Sequence, residues 1–429
     1  MNITIHRGTR QIGGSCVEVE SGPDRILLDL GLPLSIRDDE PATAEQSVES
    51  LTASAVLPNV DGVYNNALPQ VSAVVVSHVH QDHLGLAHHV HPSIPVYATE
   101  GTWALHDVLQ VFVPKPTAVV TRRVLPKRQP VHFGSLAVTA IPVDHSAPDA
   151  VALLVEAGGK RLLYSGDLRT HGRKSYLHSD LIRNLAGSIN VLLLEGTTIG
   201  RINSEPVTEE SLEGDLLALL AQQKHLALIF CSSQNLDRLV TIYRAVKRTR
   251  KLMVIDLYTA YTLEQLRCLS NHLPQWSWPE VRVVPWGYQQ QRLVEAGHSA
   301  FLENTKRHWI GWEVMKERKR DIVLLMRSNR KIADFERELG EEVSETQVIW
   351  SMWEGYWERD QCVRPFCEKH TIARSKLHTS GHAPLAELQR IAEGLKPELV
   401  VPIHTERAEE FSQYFACVRV LADGEVLRI

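Results

Sequence analysis

Short stretches of alternating or continuous apolar residues dominate the first two hundred positions. NITIHRG, CVEVE and RILLDLG are separated by Gly, Ser and Pro, which predicts a run of short strands. VSAVVVSH (71–78) and INVLLLEG (189–196) are apolar throughout, the pattern of strands buried on both faces. VHFGSLAVTAIPV, AVALLVEA and KRLLYSG recur between 131 and 170, and Gly158–Gly159 fits a two-residue hairpin turn between the last two. Residues 33–70 carry turn formers and little periodicity, so a long loop with short helices is expected. Near residue 205 the pattern changes. TEESLEGDLLALLAQQK predicts an amphipathic helix capped by Thr208. HLALIFCSS then reads as a strand, LDRLVTIYRAVKRTRK as a helix, LMVIDLY as a strand and TLEQLRCLSNHL as a helix. That alternation predicts a small parallel sheet with helices on its faces. After about 360 the short-strand style returns. The chain therefore divides into a β-rich domain over 1–203, an inserted α/β domain over 204–357, and the completion of the first domain over 358–429.

The chain has 429 residues, 44% of them apolar and 23% charged, an ordinary globular balance that excludes a largely disordered chain. A net charge of −5 means that any nucleic-acid contact must use local patches. Six scattered cysteines form no CxxC pair, which argues for reduced thiols rather than a zinc ribbon. No signal peptide is visible, and no apolar run approaches the roughly 20 residues of a membrane helix. A cytoplasmic protein with no membrane partner is the expectation. Eight of the nine tryptophans lie between 276 and 357, which marks the insertion as a separate unit; core and interface packing is their expected role, and base stacking the lesser alternative.

The unusual number is twenty histidines. His78-Val-His80-Gln-Asp82-His83 follows directly on the strand VSAVVVS. At a strand end, residues i and i+2 can converge on one ion, while Asp82 and His83 open the next turn towards a second. Imidazole and carboxylate donors suit zinc. One cluster cannot close two sites, and further donors stand at later strand ends: His145, Asp167 and His404. Asp167 is the natural bridge, since a carboxylate can span two adjacent ions.

SHVHQDHLG, VDHS and YSGDLR together resemble the metallo-β-lactamase superfamily, and Asp29 in RILLDLG matches its first motif, an Asp that supports the ligand shell. LLLEGTT at Glu195, HTSGHA at His382 and PIHTE at His404 resemble the further motifs of the β-CASP nucleases, a group that includes RNase J and the mRNA 3′-end-processing endonuclease. IPVYATEGTWAL and SSQNLDR are also similar to RNase J-type sequence, whereas IVLLMRSNRK stands where RNase J has a Gly-Gln-Gly-Glu-type segment. The resemblance implies an α/β fold: an αββα metallo-β-lactamase sandwich with an inserted β-CASP-like α/β domain and an active site between the two. It implies two zinc ions, with manganese the alternative. His78, His80 and His145 would hold one, Asp82, His83 and His404 the other, with Asp167 bridging. It further assigns Asp82, Glu195 and His382 to catalysis, with His382 at the scissile phosphate or leaving oxygen and Glu195 orienting it. Ser232, Ser233, Asn235, Ser380 and His382 would contact substrate. The implied reaction is hydrolysis of RNA by a two-zinc-activated hydroxide. DNA is the alternative substrate, and a small-molecule lactonase or thioesterase activity the alternative class. A homodimer is left open.

Basic clusters at Arg122–Arg123 with Lys127–Arg128, at Arg244, Lys247, Arg248, Arg250 and Lys251, and at 306–320 are either solvated faces or a phosphate-tracking groove. Ser232, Ser233 and Asn235 sit at a strand-to-helix turn, where a helix cap and a phosphate site are equally good readings. His88, His89 and His91 are expected on the surface of a helix ending at Pro92, and Cys362 and Cys367 are expected to be structural.

Overall fold

The computed structural model describes residues 1–36, 43–113, 117–201 and 207–429. The chain folds into two compact units. One comprises Met1–His106, Pro114–Glu205 and Gly381–Ile429, the other Asp107–Val113 and Pro206–Ser380.

Two sheets build the first unit. The seven-stranded sheet runs, edge to edge, Val426–Arg428, Asn2–Arg7, Cys16–Ser21, Asp24–Leu28, Ala73–Val75, Val96–Ala98 and Arg122–Val124. The six-stranded sheet runs Leu399–Ile403, Val191–Glu195, Lys160–Tyr164, Val151–Ala157, Leu136–Pro142 and Pro130–Phe133. Period-two alternation decides which side each residue faces. Val151, Leu153, Val155, Leu162, Tyr164, Val191, Leu193, Val401 and Ile403 meet Ile3, Ile5, Val17, Val19, Ile26 and Leu28 of the other sheet in one buried core. Their neighbours Ala152, Leu154, Leu163, Leu192, Leu194 and Val400 point the other way. They pack under the helices Tyr176–Leu185 and Leu385–Leu395 through Leu181, Leu185, Leu388 and Ile391. Each fully buried Ile, Leu or Val contributes about 1.5–3 kcal/mol. The hairpin at Gly158–Gly159 forms as expected, pairing Ala157 with Lys160.

The strands Lys160–Tyr164, Val191–Glu195 and Leu399–Ile403 are parallel. Leu136–Pro142 runs the same way, being antiparallel to Val151–Ala157, which is itself antiparallel to Lys160–Tyr164. Their carboxyl ends therefore share one edge, and the chain leaves that edge at His145, Asp167, Glu195 and His404.

The second unit carries six strands, all parallel, in the order Val281–Val284, Leu252–Asp256, Ile322–Met326, Ala227–Phe230, Gln347–Trp350 and Arg374–Lys376. A sandwich interrupted by an α/β unit is the architecture the sequence predicts. Three details differ. The second unit extends to Ser380 rather than 357, because Arg374–Lys376 adds to its sheet beside Gln347–Trp350. The helix expected over TLEQLRCLSNHL is instead Leu257–Gln265; Asp256, the last residue of a strand, caps it through Thr259 N–H and starts it five residues early. His89 is buried rather than on the surface, and only a 3₁₀ turn, Ala87–His89, forms there. Among the described residues no helix is long and apolar enough to cross a membrane. All six cysteines are free thiols.

Candidate metal centre

The HxHxDH loop rests on the segment that follows Asp24–Leu28. Asp29 has a left-handed φ of 59°, which turns the chain so that Leu30 N–H meets His83 O and Leu32 N–H meets Gln81 O. At Gly31 a Cβ would lie 1.7 Å from Asp82 O, so only glycine allows this approach. The Asp29 carboxylate is buried and fully used. It accepts from Ser77 N–H (2.7 Å), Ser77 Oγ (2.8 Å), Tyr164 OH (2.7 Å) and His83 Nδ1 (2.7 Å). The last bond places the proton of His83 on Nδ1 and leaves Nε2 to face the centre.

His145 is oriented in the same way, its Nδ1 donating to Gly381 O at 2.7 Å. Its Nε2 lies 3.2 Å from His80 Nδ1, which in turn lies 3.1 Å from His78 Nε2. Three ring nitrogens thus converge on one point, where at most one or two protons could relieve them. On the other side, His404 Nε2 lies 3.2 Å from Asp82 Oδ2, and His83 Nε2 makes no hydrogen bond although it is 3.3 Å from Asp167 Oδ2. His404 itself takes φ 54° and is held by Gly8 O through its N–H and by Thr197 Oγ1 at Nδ1. The donor atoms of His78, His80, His145 and Asp167 lie within 4.8 Å of one another, as do those of Asp82, His83, Asp167 and His404. Asp167 belongs to both sets.

Electrostatics favour cations here. Burial, reinforced by the neighbouring imidazoles, holds His78 and His145 well below the usual histidine range, and burial lowers His80, so all three present lone pairs. His83 goes the other way. Burial opposes its charge, but Asp167, Asp29 and Asp82 outweigh that and raise it well above the ordinary value. Asp29, Asp167 and Glu195 are buried and Asp82 half-buried, so four carboxylates gather in one site, a concentration of negative charge that favours cations. The imidazole–carboxylate set, its three convergent nitrogens and the unbonded His83 Nε2 fit a pair of borderline-soft cations such as zinc.

Glu195 ends its strand beside this centre. It accepts from Leu168 N–H (3.3 Å) and Thr197 N–H (3.1 Å), and its Oε1 lies 3.1 Å from His382 Nδ1. Burial works against charge on His382, yet Glu195 and Asp167 overcome it and push its pKa up to about 9. Asp167, Glu195, His382 and His404 form a third close group of donors.

Several supporting residues carried no sequence signal of their own. Asp144 and Arg169 form a fully buried ion pair (3.2 Å), and Arg169 N–H bonds Asp144 O at 2.7 Å. The pair sits next to His145 on one loop and two residues after Asp167 on the other, so it bolts the two ligand-bearing loops together. Its only trace in the sequence is adjacency to VDHS and GDLR. Arg169→Met is expected to take a buried counter-charge away from Asp144. That costs about 3–5 kcal/mol and displaces His145, with loss of one metal equivalent by elemental analysis. Adding Asp144→Asn should recover part of the melting temperature. A single variant that melts and binds metal like wild type would refute the clamp.

Ser232, Ser233, Asn235 and Ser380 belong to the second unit, unlike the metal donors. Asn235 is a helix cap, its Oδ1 accepting from Arg238 N–H at 3.2 Å. Ser233 is buried, with Oγ 2.7 Å from Thr259 Oγ1. Ser232 is exposed and Ser380 half-buried. Many residues of the basic clusters pair with carboxylates. Arg244 and Arg248 pair with Glu213, Lys247 with Glu280, Lys306 with Glu303, Lys316 with Glu313, Arg318 with Asp321 and Lys319 with Glu342.

Two family models match this chain. Residues 53–208 match a β-lactamase superfamily domain, and residues 372–419 a Zn-dependent metallo-hydrolase RNA specificity domain. An RNase J-like protein of Methanocaldococcus jannaschii is 24% identical over 96% of this chain and 94% of its own length. Ribonuclease J of Mycobacterium tuberculosis is 24% identical over 94% of this chain and 68% of its own. A crystal structure of a protein of unknown function from Enterococcus faecalis aligns with a TM-score of 0.80 over 99% of both chains, at 22% identity.

Proposed function

Because the chain belongs to the metallo-β-lactamase superfamily, with β-CASP-like homology to RNase J, we propose that it is a metal-dependent nuclease hydrolysing phosphodiester bonds in RNA. The observation that carries this reading is the convergence of seven His and Asp donors into two groups that share Asp167. In the proposed assignment His78, His80 and His145 hold one ion, Asp82, His83 and His404 the other, and Asp167 both. Two zinc ions, with manganese the alternative, would make water a nucleophile at neutral pH and neutralise charge on the phosphoryl oxygens.

The remaining roles fall to the chain's own groups. His382, protonated and aimed by Glu195, supplies a proton to the leaving oxygen or a hydrogen bond to the phosphoryl group. Asp29 fixes the ring of His83 and, through Ser77, the loop that carries His78. Ser232 and Ser380 are proposed to contact phosphate, whereas Ser233 and Asn235 act by holding the turn before the helix Leu236–Arg248. Six unpaired thiols support a reducing, cytoplasmic setting.

The test is incubation of purified protein with end-labelled RNA and DNA, with and without chelator. Chelator-sensitive cleavage of RNA in preference to DNA is expected. Preferential cleavage of DNA would move the assignment to a DNA nuclease, and turnover of lactones or thioesters without nucleic-acid cleavage would overturn it.

A further inference from the structure

The second unit exposes two aromatic rings side by side on the short helix Glu354–Arg359 and the residue before it. Trp353 is 44% and Tyr356 61% exposed, with ring centroids 5.5 Å apart and planes nearly perpendicular. Most of the unit's other tryptophans are at least half buried, so these rings are not overflow from the core. They are also held in place. A Cβ at Gly355 would fall 2.2 Å from the Trp353 ring, so this glycine lets the indole lie against the backbone. Behind them, Trp350 is fully buried, Trp357 contacts it edge-on at 5.0 Å, and the Arg374 guanidinium sits 4.3 Å over the Trp357 ring.

Two cations reach the helix that carries the rings. Glu354 is shared between Arg374 and Lys376, so one carboxylate faces two cations. Arg374 and Lys376 belong to the strand Arg374–Lys376, which ends the parallel sheet and pairs on one side only among the described residues. Lys376 is the last residue of one parallel strand and Trp353 comes three residues after the end of its neighbour, so both stand at the carboxyl edge, where open α/β sheets take their ligands. Flat exposed rings next to basic side chains are the pattern that stacks unpaired bases while a cation meets the backbone phosphate.

We propose that Trp353 and Tyr356, flanked by Arg374 and Lys376, form a base-stacking site for single-stranded RNA. The inference rests on the ribonuclease reading above and names a contact that selects unpaired substrate. A ring stacks on any base, so the site reads strandedness rather than sequence, and a duplex, whose bases are already stacked, gains nothing from it.

The experiment is steady-state cleavage of a single-stranded oligoribonucleotide by the metal-loaded full chain, with Trp353→Ala, Tyr356→Ala and Trp353→Phe variants. The alanine variants should raise KM about five- to a hundred-fold with kcat within two-fold, and Trp353→Phe should recover most of the loss. Scanning the substrate with abasic nucleotides should find a position at which wild type and Trp353→Ala become equal. Lys376→Ala should instead weaken all substrates alike and flatten the salt dependence. Tyr356 is the more exposed ring, so its variant keeps the test valid if Trp353→Ala fails to fold. If wild type cleaves single-stranded RNA and both alanine variants keep its KM within two-fold, the stacking site is wrong and the nuclease reading stands. If wild type cleaves no RNA, the nuclease reading falls and takes this site with it.

Discussion

Asp167→Ala is expected to abolish turnover and to empty both cation sites together. The carboxylate is almost fully buried and lies among five imidazoles. Its Oδ2 is 3.3 Å from His83 Nε2, 3.7 Å from His78 Nε2, 3.9 Å from His382 Nδ1 and 4.0 Å from His145 Nε2, and its Oδ1 is 3.5 Å from His404 Nδ1. Burial alone would raise its pKa, but His404, His83 and His382 hold it well below the ordinary carboxylate value. No other donor belongs to both ligand groups, so no neighbour can replace it. Without it, two dications would face each other with no shared anion, and the three-histidine group would have no carboxylate at all. Elemental analysis should fall from two equivalents to well under one, and activity below a hundredth of wild type. Melting gives an independent check. Chelator should lower the melting temperature of wild type, because ligands that bind only the folded state stabilise it, and should leave that of the variant unchanged. Activity above a hundredth of wild type, or two retained equivalents, would remove Asp167 from the bridging role.

The sandwich was legible because its strands are buried on alternate faces in period two, and the donors because they stand at strand ends: His78 after VSAVVVS, His145 after AVTAIPVD, His404 after ELVVPI. Such positions combine a local pattern with a chemical type, and both are visible in a single sequence. What escaped depends on distant partners. Arg169 looks like any charged residue until Asp144 is found opposite it in the interior. The cluster Arg244, Lys247 and Arg248 looks wholly free for phosphate until Glu213 and Glu280, some thirty residues away in the chain, are found paired with it. Arg374–Lys376 leaves little trace because it is only three residues long and polar, and only its pairing reveals the sheet it joins. The early start of the helix at Leu257 turned on one cap, Asp256, hidden at the end of an apolar run.

The second large effect is expected at His382. If this histidine assists the leaving group rather than holding a metal, His382→Ala should keep the fold and both metals. It should lose about 10²–10⁴-fold in kcat, the usual worth of a positioned acid, with little change in KM. The geometry makes the alternative concrete, because Asp167, Glu195, His382 and His404 also lie close enough to hold an ion. Loss of one metal equivalent in His382→Ala would decide for that alternative. Glu195 offers a second discriminator through pH. Its carboxylate is the largest influence raising the pKa of His382, against the burial that lowers it, so Glu195→Gln should lower that pKa. An acid works only while protonated, and activity falls as pH rises through its pKa. The alkaline limb of kcat should therefore move to lower pH in Glu195→Gln, by a smaller loss at neutral pH than His382→Ala causes. Bound dications act in the same direction, so the limb in wild type should lie below 9 and shift further down in the variant. The double variant should be little worse than His382→Ala alone, since the carboxylate acts through the imidazole. An unmoved alkaline limb in Glu195→Gln would leave Glu195 as a structural carboxylate that merely accepts from Leu168 and Thr197. Full activity of His382→Ala on both RNA and DNA would take the proton-donor role away from this histidine altogether.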